Sequence, residues 1–203
     1  METITNRMKK HAGTHSKSRG ALGRLATIWN QSVWKKKILE KTQNWIKVTL
    51  QNIKESIEII IYNIYGPNHY RDKQICWDAL KTDIGNEDSN NIIVGGDFKL
   101  ILHANEKRGG CFNLDPFRDM LETVIQDHEL VDIAPKNSKY TWSNCQIGGG
   151  NIMERLNKFL VAIPLLSFFS IASSNILSSS ASDHYPIILS LGDHPSLSPL
   201  PFK

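Results

Sequence analysis

A mixed α/β protein with packed sheets is the fold class predicted by this 203-residue sequence, on three observations. Several short runs are rich in β-branched and aromatic residues, two stretches between them space apolar residues as helices do, and the composition suits a buried core. With 40% hydrophobic and 22% charged residues, the chain is neither wholly disordered nor a collagen-like fibre nor a disulfide scaffold.

Each element has its own local signal. Met1 to Gly20 is polar and basic with no apolar period, so a disordered head is expected over residues 1–20. Ala21–Asn30 reads as a strand entered through a glycine, and Val33–Leu39 and Trp45–Asn52 alternate as half-buried strands do. Ile57–Tyr65 (IEIIIYNIY) is the strongest strand, and Gly66-Pro67 ends it. Arg71–Gly85 carries Ile75, Leu80 and Ile84 at helical spacing, with Trp77 off phase. Asn91–Asp97 (NIIVGGD) is a continuously apolar strand ending in Gly-Gly-Asp.

Asp115-Pro116 offers an N-cap and a first-turn proline to a second helix. That helix runs to about Glu129 and buries Phe117, Leu121, Val124 and Ile125. Tyr140–Ser143 and Arg155–Val161 read as strands flanking Gly148–Gly150. Ser173–Ser182 reads as a serine-rich loop and Tyr185–Leu191 as a last strand. The tail from Gly192 to Lys203 carries Pro195, Pro199 and Pro201 and is left without structure. One domain over residues 21–191 is therefore expected, between the head and the tail 192–203.

Charge and cysteine usage bound the function. Residues 1–50 hold eleven Lys and Arg against Glu2 and Glu40, whereas the other 153 residues hold thirteen basic and eighteen acidic groups. The formal net charge of +4 thus hides a basic head on an acidic body. Cys76, Cys111 and Cys145 are widely spaced and show no CxxC pattern, which argues against zinc and against a disulfide framework. An intracellular, reducing compartment is expected. No apolar stretch follows the first positive charges as a secretory signal would. The apolar run Phe159–Ala172 is broken by Pro164 and falls short of the roughly 20 residues a bilayer span needs, so it reads as core and no membrane partner is expected.

Polar residues at the ends of apolar strands are candidate chemistry, because strand ends hold groups rigidly around a cleft. Four such places occur: Asn63–Pro67 (NIYGP), Gly95–Lys99 (GGDFK), Glu154–Phe159 (ERLNKF) and Ser182–Pro186 (SDHYP). Asp97 follows a wholly apolar strand, where a carboxylate calls for a metal ion or a hydrogen-bonded base; a turn cap after Gly95-Gly96 accounts for it equally well. Asp183-His184 is an acid/base pair, or else a surface turn. A carboxylate and an imidazole near a hard cation form a kit for activating water against a phosphodiester.

In their joint order, NIYGP, GGDF, YTWSN with ERLxxFL, and SDHYPI resemble the endonuclease/exonuclease/phosphatase superfamily related to deoxyribonuclease I. The nearest resemblance is to the endonuclease domain of plant non-LTR (LINE-type) retrotransposons, over about Ala21 to Leu191. That resemblance implies a four-layered sandwich of two mostly antiparallel sheets flanked by helices, incomplete at its N-terminus in this chain. It implies hydrolysis of DNA phosphodiesters with Mg²⁺ or Mn²⁺ as cofactor, and a nuclear location if a retrotransposon role persists. It also implies that Tyr65 hydrogen-bonds the phosphate, that Asp97 orients or deprotonates the attacking water, that Asp183 is a metal-side carboxylate, and that His184 contacts the scissile phosphate. Ser182 supports that turn, and Trp142, Ser143 and Asn144 lie near the substrate cleft.

Three departures from the family pattern point toward lost activity. Lys99 stands where the family has Asn after GDF, replacing a donor and acceptor by a cation with donors only. Asn157 stands where the family has the Asp of RLDRFL, which holds the SDH histidine. The family's first strand is missing, and Met1-Glu2-Thr3 resembles only a remnant of its metal-binding Glu-Thr motif, so Glu2 is a doubtful metal ligand. The reading is therefore an impaired or inactive phosphodiesterase. A non-catalytic remnant that binds nucleic acid through Lys35–Lys37 and the head is the first alternative, although a solvated face is the better account of those lysines. A phosphomonoesterase of the same superfamily is the second.

Overall fold

In a computed structural model of the protein, the described residues are 10–15, 25–55, 57–88, 90–111, 113, 115–169, 171–179 and 182–192. The centre is a six-stranded sheet. It joins β3 (Trp34–Lys41), β4 (Trp45–Asn52), β5 (Glu58–Tyr65), β6 (Ile92–Asp97), β11 (Asn157–Ala162) and β8 (Leu130–Asp132), in that spatial order. Only β5 and β6 pair in parallel; every other neighbour is antiparallel. A parallel pair needs a crossover, and helix α1 (Tyr70–Gly85) supplies it.

Helix α1 and helix α2 (Arg118–Asp127) cover one face of this sheet. The phase of α1 differs from the expected one. Lys73, Cys76, Trp77, Leu80 and Ile84 face inward, while Ile75 is 68% exposed. The helix turns its widest side chain to the sheet, and Trp77 stacks on Phe98 with ring centroids 5.8 Å apart. An isoleucine one residue either side of a core stripe is carried out to solvent by the 100° step per residue. Helix α2 buries Leu121 and Val124, and Asp115 Oδ1 accepts the Phe117 N–H before its first turn.

The other face carries two separate antiparallel hairpins: β1 (His11–His15) with β2 (Ala26–Asn30), and β12 (Ile171–Ile176) with β13 (Ile187–Gly192). Both pack through Ala12, Trp29, Leu189 and Leu191 on a second cluster built around Val48, Leu50, Val161 and Leu165. The short helix α3 (Ile163–Leu166) sits at its edge. Asn63 ties β2 to the central sheet, its Nδ2 donating to Ala26 O at 2.9 Å. A small three-stranded sheet joins β7 (Lys107–Arg108), β10 (Met153–Glu154) and β9 (Trp142–Ser143), and the chain leaving β10 enters β11 past Leu156, whose carbonyl accepts from Phe98 N–H just beyond β6.

Two expectations are corrected by the hairpins. His11–His15, within the basic head, forms a strand because the full length of β2 pairs with it. Ser173–Ser182 does not form a loop throughout: β12 reaches Ile176, with Ser174 fully buried and its carbonyl accepting from Lys136 N–H. Serine disfavours strands only weakly, and a paired apolar neighbour overrides that preference. Strand boundaries also shift, from Ala21–Asn30 to Ala26–Asn30 and from Val33–Leu39 to Trp34–Lys41. Lys35, Lys36 and Lys37 are exposed on β3, an edge strand of the sheet, where lysines discourage edge-to-edge pairing. No helix among the described residues is long and apolar enough to cross a membrane.

Candidate active site

The parallel pair β5–β6 ends at Tyr65 and Asp97, which are register partners, and Asn157 at the start of β11 stands opposite Asp97 on its other side. Three segments far apart in sequence thus converge at one sheet end. Two glycines make the approach close enough. A Cβ on Gly66 would lie 2.4 Å from Phe98 O, and one on Gly96, whose φ is +139°, would lie 2.1 Å from Ile64 O. NIYGP and GGDF are therefore packed backbone to backbone, with Gly66 N–H donating to Asp97 O at 2.6 Å.

Lys99 dominates the site. Its backbone is left-handed, φ +53°, an uncommon conformation for a residue with a Cβ. The turn is held by its own N–H, which donates to Asp97 Oδ1 at 3.1 Å, and by Lys73 of α1, whose Nζ donates to Lys99 O at 3.0 Å. Lys73 is anchored in turn by Asp115. The side chain folds back so that Nζ lies 2.6 Å from Asp97 Oδ2, 3.3 Å from His184 Nε2 and 5.2 Å from the Tyr65 ring centroid.

His184 is reached from the other end of the chain. The bridge between Trp142 and His184, and the donation of Tyr185 N–H to Thr141 O, bring the SDH segment onto the small three-stranded sheet. Its Nδ1 is 3.0 Å from Asn157 Oδ1 and its Nε2 is 3.6 Å from Asp97 Oδ2. With an amide oxygen at Nδ1 and an ammonium at Nε2, the ring that satisfies both carries its proton on Nδ1 and accepts at Nε2. Burial pushes the His184 pKa down and Lys99 adds to this, against the opposing pull of Asp97 and Asp183. The neutral imidazole is thus the favoured form.

Asp183 is held by Trp142. Its Oδ2 accepts from Trp142 Nε1 at 2.8 Å, which holds the carboxyl below its usual range. Ser182 Oγ accepts the His184 N–H at 3.1 Å and so shapes the turn. Ser143 and Asn144 bind their own loop: Ser143 Oγ contacts Asn151 Oδ1, and Asn144 Oδ1 accepts from Gln146 and Ile152 N–H. Both anchor the small three-stranded sheet and its loop, and neither makes a side-chain hydrogen bond to Asp97. Glu2 lies outside the described residues.

The charged pairing is a poor match for the implied Mg²⁺ or Mn²⁺. Such ions need several carboxylate or water oxygens in near-octahedral array. Asp97 is engaged through both oxygens by Lys99, Asp183 is engaged through Oδ2 by Trp142, and Asn157 contributes no charge. No group of three His, Cys, Asp or Glu able to hold a metal is found among the described residues. The described residues do not fit a resident divalent ion.

Beneath the site lies an ionic knot that sequence reasoning missed. Lys158, next to Asn157 and almost wholly buried, donates to Glu106 Oε2 at 2.6 Å and to Arg155 O at 2.7 Å. Arg155 grips Glu106 and Asp132, with Nε–Oε1 at 3.0 Å and Nη1–Oδ1 at 2.9 Å. Glu106 also accepts the Leu102 N–H at 2.8 Å. Burial alone would raise the Glu106 carboxyl, but Lys158 and Arg155 outweigh it and hold it below its usual value. Burial, reinforced by Arg155, pushes Lys158 down to about 8. The signal was present as two cations three residues apart beside an apolar strand, a pattern that demands a buried acid.

Comparison of the sequence with family models and with curated proteins gives no match. Comparison of the structure does. The chain is similar to the endonuclease domain of TRAS1, a telomere-specific non-LTR retrotransposon, with a TM-score of 0.70 and 14% identity over 90% of this chain and 80% of that one. It is similar to the AP endonuclease LMAP from Leishmania major, with a TM-score of 0.69 and 16% identity over 96% and 75%. An endonuclease/exonuclease/phosphatase family protein from Bacteroides thetaiotaomicron matches with a TM-score of 0.59 and 9% identity over 93% and 78%. The chain has the endonuclease/exonuclease/phosphatase fold, an α/β sandwich.

Proposed function

We propose that this chain is a phosphodiester-recognising domain of the DNA-endonuclease kind, of retrotransposon origin, in which hydrolysis is impaired or lost. The observation that carries this reading is Lys99 Nζ, seated 2.6 Å from Asp97 Oδ2 and 3.3 Å from His184 Nε2. Hydrolysis of a phosphodiester needs a carboxylate free to orient or deprotonate water. Asp97 already accepts from the backbone and side chain of Lys99, so both of its oxygens are engaged. Asn157 Oδ1 accepts the hydrogen bond from His184 Nδ1 without the charge that would stabilise an imidazolium.

Recognition of phosphate survives these changes. Lys99 contributes cationic donors and Tyr65 its hydroxyl, while Trp142 and Ser182 shape the rim. The neighbours named as endonucleases support nucleic acid as the ligand class. Supercoiled plasmid incubated with the protein in Mg²⁺ or Mn²⁺ tests the reading. Nicking by the wild type at the level of Asp97→Ala and His184→Ala controls is the expected result. Wild-type nicking tenfold above both controls would show a working catalytic centre and overturn it.

A further inference from the structure

We infer that Lys99 is a tethered cation which supplies, from within the chain, the positive charge a divalent ion would bring between Asp97 and His184, so that the site recognises a phosphodiester oxyanion without metal. The inference rests on the phosphate-binding reading above and assigns the recognition to one atom.

Four features support it. The ammonium is built in: the left-handed backbone of Lys99, the donation of its N–H to Asp97 and the grip of Lys73 on its carbonyl fix the base of the side chain. It is also desolvated, with only 16% of the side chain exposed, and it lies against the Tyr65 ring. The place an ion would take is already filled, because Lys99 Nζ contacts both Asp97 Oδ2 and His184 Nε2. A divalent ion arriving here would meet an ammonium and, in Asp97, a carboxylate with both oxygens already engaged by Lys99.

The donor count completes the case. An ammonium has three N–H donors. One is directed at Asp97 and one at His184 Nε2; the remaining neighbour of the ammonium is the Tyr65 ring, 5.2 Å away at its centroid, and the third donor finds no oxygen or nitrogen acceptor among the described residues. A phosphate oxygen accepts it without displacing either neighbour. His184, holding its proton on Nδ1 toward Asn157, acts as a positioning residue that orients the ammonium.

Two measurements on the purified full chain test this. In the first, melting temperature is recorded in EDTA and in millimolar Mn²⁺ for the wild type and for Lys99→Met, which keeps the stem and removes the charge. The wild type should not shift, and the variant, with Asp97 released, should rise by a few degrees through ligand linkage. A wild-type rise equal to or larger than that of the variant would overturn the inference. In the second, the wild type alone is titrated with a short DNA duplex in EDTA and in Mg²⁺ at matched ionic strength. Equal affinities are expected, and tightening by tenfold or more in Mg²⁺ would also overturn it. Lys99→Met should lower the slope of log affinity against log salt by about one, the loss of a single phosphate contact. The two readings fail separately: plasmid nicking overturns the proposed function, and metal-dependent stabilisation of the wild type overturns the role of Lys99.

Discussion

The two faces of the central sheet are made of similar residues and are covered very differently. On the helix face, Tyr62, Ile64, Val94 and Leu160 are at most 1% exposed beneath α1 and α2. On the hairpin face, Val48 and Val161 are as deeply buried, yet Ile61 and Ile93 between them, and Phe159 beside them, are only half-buried. The hairpins β1–β2 and β12–β13 belong to separate sheets among the described residues, and Ile28 of β2 stands 69% exposed. The lesson is that alternation within β5 and β6 specifies that both faces are apolar. How completely each is sealed depends on what crosses over it.

That contrast sets an order of mutational costs, each readable from denaturation midpoints at constant slope. Trp77→Ala removes the largest buried side chain of the helix face and its stack on Phe98. It should cost about 3–5 kcal/mol, the usual range for a buried aromatic truncation. A cost below about 1 kcal/mol would mean that the helix face is not the rigid one. Glu106→Gln should cost about 3 kcal/mol, because Arg155 and Lys158 would remain buried without their shared carboxylate.

The Glu106 effect should depend on pH in a defined direction. Its carboxyl is held below the ordinary value of 4.5, so the stability it contributes is complete above that pH and is lost as pH falls through the native value. The gap between wild type and Glu106→Gln should therefore narrow in acid below about pH 4.5; a gap that widened would reverse the assigned cause. On the hairpin face, Ile61→Ala and Ile93→Ala should each cost about 1–2 kcal/mol, less than full core truncations, since both sites are part-solvated already. Equal costs on the two faces would erase the comparison. Ile75→Ala, on the solvent side of α1, should change stability by no more than about 0.5 kcal/mol.

Much of the architecture was legible beforehand because it is local. The runs Ile57–Tyr65 and Asn91–Asp97 reveal strands by composition alone, and Gly66 and Gly96 mark their ends because nothing larger fits there. The phase of α1 was misread because Ile75 and Trp77 are both apolar, and periodicity cannot rank them; the sheet does so by accommodating the wider ring. β12 was missed because a serine-rich strand has no propensity signal until a partner is laid beside it.

At the candidate site the division is sharper. The sequence by itself determined which residues stand at the strand ends: Tyr65, Asp97, Lys99, Asn157, Asp183 and His184 follow from motif order and from the chemistry of polar groups ending apolar runs. Only the tertiary structure decided their pairings: that Lys99 folds back onto Asp97 and reaches His184 85 positions away, that Asp183 turns to Trp142, and that Lys158 finds Glu106 52 positions away. Spacing along a chain controls the face a side chain occupies, whereas the partner across a cleft is set by strand register and crossover, which no local pattern encodes.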